Sequence, residues 1–297
     1  MRFVVIFRKI YPWIMAIRFK TLIAAFVPVL VGTAIAESFF QKMEIWVSLY
    51  ALGSAACIQI ATNLFNDAID FKKGADKDRV GPTRVTQSGL LSEKQVWMMA
   101  IGFLILALVL GFPLVIRGGI PIVVLGIVSL FLAYGYTGGP YPLAYLGLGD
   151  LFVVLFFGLF AVGGTTFLHT LSMNPAVIVA GLQMGFLSTI LIAINNLRDS
   201  ETDVHVNKKT LAVRFGDKFV RWEIMLLTIA TYMANLYYLV AYEKLYVLLS
   251  YALIPLGGLI VGFVFMIENK EKLNPILGLA ALHQLLFAGL FSYGVIL

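Results

Sequence analysis

Long apolar runs recur along the whole chain, separated by short polar links. They occupy residues 22–36, 45–64, 96–116, 119–136, 151–168, 175–194, 222–242, 245–267 and 275–297. A helix that crosses the hydrocarbon core of a bilayer needs roughly 20 mostly apolar residues. Helix is also the only open-ended backbone that pairs all of its own polar groups in lipid. The pattern therefore predicts an all-α polytopic membrane protein, with nine transmembrane helices in one bundle and a single domain over residues 1–297. The first run is short and is expected to begin near residue 11, with Arg18 and Lys20 reaching back to the interface.

Composition agrees with this reading. Of 297 residues, 60% are hydrophobic and 13% charged, and the mean hydropathy is +0.92, which leaves too little polar surface to cover a water-soluble globule. The net charge of +6 does not point to nucleic acid, because the basic residues sit in the links between apolar runs, where membrane topology places them. With nine alternating spans and a cytoplasmic N-terminus, all but Lys42, Arg117 and Lys244 of the 22 lysines and arginines fall on the cytoplasmic side. Every aspartate falls there too. The expected location is the cell membrane, with lipid as surroundings, a cytoplasmic active face and no obligate protein partner. Cys57 is the only cysteine, which excludes an internal disulfide or a cysteine-built metal site. The basic start, residues 1–9, has no small-residue cleavage site after it and is read as retained.

Two links are long and charged, 71–94 and 198–221, and each follows a helix that ends in an acidic and amide-rich face. Asn63, Asn66, Asp67 and Asp70 lie three or four residues apart, and so do Asn195, Asp199 and Asp203, so each set shares one side of a continuing helix. The second Asn-xxx-Asp lies 132 residues after the first, at 195 and 199 against 63 and 67. This spacing crosses an even number of spans and predicts a parallel pseudo-repeat. Carboxylates gathered at a membrane boundary repel one another and call for a cation. All-oxygen ligands select a hard ion such as Mg²⁺, which keeps waters and is shared with phosphates. The basic residues that follow would hold the remaining phosphate charge. His169, His205 and His283 lack metal-ligand spacing, and no nucleotide-binding or serine-hydrolase signature appears.

At these residues the chain resembles the UbiA superfamily of intramembrane prenyltransferases, over nearly its whole length. The resemblance is carried by both aspartate motifs and by Arg18-Phe-Lys-Thr21, Pro28-Val-Leu-Val-Gly32, Asp78-Arg79-Val-Gly-Pro-Thr-Arg84, Gln87-Ser-Gly89, Tyr145-Leu-Gly-Leu-Gly-Asp150 and Lys208-Lys-Thr-Leu-Ala-Val-Arg214-Phe-Gly216. These six stretches look most like the menaquinone-pathway branch. Asn207 stands where that branch usually has glycine, and it too accepts a left-handed backbone. Asp76 and Asp78 are both open as the loop aspartate.

The resemblance implies transfer of a polyprenyl group from polyprenyl diphosphate to an aromatic acceptor, here 1,4-dihydroxy-2-naphthoate. Mg²⁺ would lie among Asn63, Asp67, Asp70, Asn195, Asp199 and Asp203, with Arg79, Arg84, Arg198 and Lys208 as donors to the diphosphate. Phe65 and Tyr134 are expected to shield the allylic cation. Tyr136, Tyr141 and Tyr145 could stack on the acceptor, Asp150 could orient or deprotonate its hydroxyl, and Arg18 and Lys20 could hold its carboxylate. Two alternatives stay open: the same chemistry on another acceptor such as 4-hydroxybenzoate, and a cation-coupled transporter.

Overall fold

A computed structural model describes residues 2–75 and 81–297, and side chains from Ile10 onward. Among the described residues there is no strand. The helices are α1 (Arg2–Ile17), α2 (Phe19–Phe40), α3 (Ile45–Lys73), α4 (Glu93–Gly118), α5 (Ile120–Gly135), α6 (Gly149–Val153), α7 (Ala161–Thr170), α8 (Pro175–His205), α9 (Leu211–Phe215), α10 (Asp217–Met233), α11 (Asn235–Tyr242), α12 (Ile254–Met266) and α13 (Leu273–Ile296). A π-helical stretch, Val154–Phe160, joins α6 to α7, and a 3₁₀ stretch, Leu245–Leu253, leads into α12. Eight helical stretches among the described residues are long and apolar enough to cross a membrane. The 16-residue α5 is a shorter apolar helix, about 24 Å at 1.5 Å per residue.

The first span starts at Phe19 and not near residue 11. Arg18 adopts φ 55°, ψ 65°, a left-handed conformation that ends α1 and redirects the chain into α2. For a non-glycine residue this costs about 1–2 kcal/mol. The break is held from two sides. Thr21 N and Oγ1 donate to the Arg18 carbonyl at 2.8 and 2.9 Å, and Asn63 Nδ2 donates to the Ile17 carbonyl at 3.0 Å and to Thr21 Oγ1 at 2.8 Å.

The helices α3 and α8 have 29 and 31 residues, about 44 and 47 Å long, against a hydrocarbon core of about 30 Å. Both continue as unbroken helix through their aspartates, so the excess length stands at the ends that carry the acidic faces. Gly74, at φ 72°, ends α3. Asn207, at φ 56°, takes the left-handed turn after α8, as its place in the motif requires.

The main core lies among α2, α8, α10 and α13, around Val27, Ile35, Met184, Ile194, Phe287 and Phe291. Against α8 packs the π-helical stretch, at glycine-only distance. A Cβ on Gly158 would stand 2.4 Å from the Gly181 carbonyl oxygen and 2.7 Å from Gly185 Cα. Such small-residue contacts let helix backbones touch where lipid offers no hydrophobic drive.

Candidate active site

A cavity of about 630 Å³ runs along the inside of the bundle. Its polar end is lined by Arg18, Lys20, Asn63, Asn66, Asp70, Arg84, Asn195, Asn196, Asp199 and Lys208, and its long wall by Phe152, Phe156, Phe157, Phe160, Gly164 and Leu168. The wall is apolar because α4, α5 and the Gly149–Thr170 stretch contribute almost only hydrocarbon and aromatic faces. A slot with ions at one end and aliphatic walls beyond suits an amphiphile with a highly charged head.

At the polar end α3 and α8 bring the predicted residues together, with Asp70, Asp199 and Asp203 each beside a cation. Arg84 Nη2 donates to Asp70 Oδ2 at 3.1 Å, and Tyr145 Oη to Asp70 Oδ1 at 3.1 Å. Arg198 donates through Nε and Nη2 to both oxygens of Asp199 at 2.7 Å, through Nη2 to Asn195 Oδ1 at 2.7 Å and through Nη1 to Asn274 Oδ1 at 2.8 Å. Lys208 Nζ donates to Asp203 Oδ1 at 3.2 Å. Burial pulls the Lys208 ammonium down, but the carboxylates of Asp203, Asp70 and Asp199 outweigh it and hold the group above its ordinary value. Lys208 is therefore a fixed cation facing both aspartate motifs.

Several expectations change. Asp67 does not line the cavity. It is 2% exposed and accepts the backbone N–H groups of Val85 and Thr86 at 3.2 and 3.0 Å, which fixes the loop that carries Arg84. Asp203 and Arg198 also stand behind the wall, the latter clamping Asp199 and Asn195. Asn63 reaches the cavity while its amide nitrogen secures the Arg18 break. Tyr134 packs off the cavity against Phe65 and Trp97, with ring centroids 5.8 and 5.9 Å away, and Tyr141 is 77% exposed. Helical phase alone does not separate these tyrosines from Tyr136, which does line the cavity. The aromatic wall is supplied by Phe152, Phe156, Phe157 and Phe160, whose run 151–160 is dense enough in phenylalanine to have been a signal. Asp76, Asp78 and Arg79 lie outside the described residues.

A second loop layer closes the polar end. Lys209 N donates to the Tyr145 carbonyl at 3.0 Å, and Arg214 Nη2 to the Leu146 carbonyl at 2.8 Å. Gly147, at φ 69°, would place a Cβ 2.4 Å from the Lys209 carbonyl oxygen, so only glycine allows this approach. Lys73 Nζ sits 3.9 Å over the Tyr145 ring and donates to the Thr137 carbonyl at 2.8 Å, while Thr137 donates to Asn66.

Among the described residues, no three of His, Cys, Asp and Glu stand close enough to hold a metal ion by themselves. The oxygen donors that α3 and α8 bring to the cavity are Asp70 and Asp199 with the amides of Asn63, Asn66, Asn195 and Asn196. A sparse all-oxygen set of this kind fits an ion that keeps waters and takes further oxygens from a bound phosphate.

Fold and site together define a polytopic membrane enzyme that grips a charged head at the mouth of an apolar channel. The chain belongs to the UbiA prenyltransferase family, whose pattern matches residues 25–285. It is 37% identical over 214 residues to the 1,4-dihydroxy-2-naphthoate octaprenyltransferase of Escherichia coli, covering 69% of this chain and 68% of that one. It is 33% identical over 299 residues to the enzyme of the same description from Haemophilus influenzae, covering 97% of each. Among solved structures, the apo form of a UbiA homologue from Aeropyrum pernix superposes with a TM-score of 0.69 at 15% identity, over 94% of this chain and 98% of that one. A UbiA homologue from Archaeoglobus fulgidus bound to GPP and Mg²⁺ superposes at 0.64 and 16% identity, over 96% of this chain and 99% of that one.

Proposed function

We propose that this protein transfers a polyprenyl group from its diphosphate to 1,4-dihydroxy-2-naphthoate, a step of menaquinone synthesis. In this reading the whole chain is one prenyltransferase domain of nine spans, seated in the cell membrane with its N-terminus and polar cavity end toward the cytoplasm. The distribution of lysine and arginine supports that orientation.

The observation that carries the reading is the cavity itself, with Asp70, Asp199, Arg84 and Lys208 at one end and an aromatic channel behind. Asp70, Asp199 and the amide oxygens of Asn63 and Asn195 are the groups that would hold Mg²⁺. When bound, it supplies the Lewis-acid charge that stabilises the departing diphosphate. Arg84 and Lys208 donate to the same oxygens, and their contribution grows as negative charge builds on the leaving group. Arg198 keeps Asp199 and Asn195 aimed at the cavity. Phe152, Phe156, Phe157 and Phe160 present ring faces and exclude water from the allylic cation. Arg18 and Lys20 are cations within reach of the acceptor's carboxylate.

Purified, detergent-solubilised protein is incubated with radiolabelled polyprenyl diphosphate and 1,4-dihydroxy-2-naphthoate, with Mg²⁺ or with EDTA. Prenylated, decarboxylated naphthoquinol in the magnesium arm and its absence with EDTA are expected. Product with 4-hydroxybenzoate alone would change the acceptor, and magnesium-independent product would remove the metal from the mechanism.

A further inference from the structure

The acids around the polar end differ in one respect. Asp70, Asp199 and Asp203 each have a cation within 3.2 Å. Asp150 has none among the described residues. It lines the cavity, is 6% exposed, and neither of its carboxylate oxygens has a hydrogen-bond partner. Its backbone carbonyl is engaged by Thr189 Oγ1 at 3.4 Å, so its place on α6 is held while its side chain is left open. A buried carboxylate without a donor is costly, and such groups gather where a ligand completes them. A hydrogen-bond donor would complete it. The acceptor's hydroxyl is such a donor, whereas the diphosphate and the acceptor's own carboxylate, both anions, are not.

Tyr136 stands beside it. The tyrosine lines the same cavity, and its hydroxyl lies 3.0 Å from where a Cβ on Gly149 would be. Its phenol ordinarily ionises only in base and so is a hydrogen-bond donor here. An anionic acceptor and a donor next to each other on the wall match a ring that carries a hydroxyl in one state and a carbonyl in the next.

We infer that Asp150 is the proton carrier of the acceptor half-site, receiving the ring hydroxyl's proton and then returning it, with Tyr136 donating to the ring oxygen in between. The inference rests on the prenyltransferase reading above and adds to it. The carbon–oxygen bond to diphosphate breaks with its electron pair on the leaving oxygen. The ring carbon that bears the carboxylate forms the new carbon–carbon bond, the neighbouring hydroxyl gives its proton to Asp150, and a ring ketone results. Loss of carbon dioxide leaves its bonding pair in the ring as an enolate. That enolate takes the proton back from Asp150, and the aromatic hydroxyl is restored. No oxidant or reductant is consumed, and Asp150 ends as it began.

The test uses full-length wild type, Asp150→Asn and Asp150→Glu, with two readouts: transfer to the naphthoate, and release of diphosphate from labelled prenyl diphosphate without acceptor. Asp150→Asn keeps shape and removes the base. Its transfer rate is expected to fall by about 10²–10⁴-fold, the usual share of general acid–base catalysis, with acceptor-free release and the KM for prenyl diphosphate within a few-fold of wild type. Asp150→Glu is expected to recover part of the transfer rate. Transfer by Asp150→Asn within a few-fold of wild type would overturn the inference. So would a parallel fall in both readouts, since that would put Asp150 in the diphosphate half. If wild type fails on the naphthoate but prenylates another hydroxylated ring, the acceptor assignment falls and the same comparison on that ring decides the role of Asp150.

Discussion

Asp67 and Asp70 lie one helical turn apart on α3 and have different partners. Asp70 faces the cavity and is gripped by Arg84 and Tyr145, whereas Asp67 spends both oxygens on the backbone of residues 85 and 86. On the other helix Asp199 is held by its neighbour Arg198 through two hydrogen bonds. Replacing each acid therefore has a different signature. Asp67→Ala strands two buried N–H donors, at about 1–3 kcal/mol each, and should lower the thermal midpoint in detergent and open the 81–92 loop to protease. Asp199→Asn keeps the volume and one acceptor, and should lower kcat by about 10²–10³-fold with the midpoint changed far less. An Asp67→Ala protein as heat-stable and protease-resistant as wild type would show that the loop does not depend on this contact.

Among the elements, the helical runs at 63–70 and 195–203 were legible from spacing, since three- and four-residue intervals keep side chains together on any continuing helix. The left-handed Asn207 was legible from its motif. Which of Tyr134, Tyr136 and Tyr141 turns inward was not, because that depends on how α5 packs against Phe65 and Trp97. The break at Arg18 was also hidden, since it is stabilised by Asn63, 45 residues away in sequence. The π-helical Val154–Phe160 has no periodicity that separates it from α-helix, yet it sets the aromatic wall. Wound with five-residue spacing, it brings Gly158 against Gly181 and Gly185. Gly158→Val should force that stretch off α8, cost roughly 1–3 kcal/mol by overpacking and shift the preferred prenyl chain length, read from the product spectrum with a mixture of prenyl diphosphates. An unchanged spectrum and midpoint would show that the wall tolerates the displacement.

At the scale of the molecule, the two halves meet where residues 145–147 are bonded by the Lys209 backbone and the Arg214 side chain, so the mouth of the cavity is one joined surface and not two loops. The orientation proposed for it has a direct check. Cys57 is buried and is the only cysteine, so a Cys57→Ala background allows single labels. Thr202→Cys should react with an impermeant maleimide only from the cytoplasmic side of sealed vesicles, and Lys244→Cys only from the other. The opposite pattern would invert the protein in the membrane.

Arg84, Arg198 and Lys208 are each already matched with an aspartate before any substrate arrives. A mouth balanced in this way gives a passing phosphate little reason to stop. The cytoplasm is crowded with nucleotides and inorganic phosphates whose heads look much like the head of a prenyl diphosphate. What they lack is a tail, which holds a prenyl diphosphate at the membrane by about 0.8 kcal/mol for each methylene kept out of water. Discrimination against the soluble pool thus comes from the tail and the apolar channel that accepts it, and the same balance lets the spent diphosphate, once cut from its tail, leave easily.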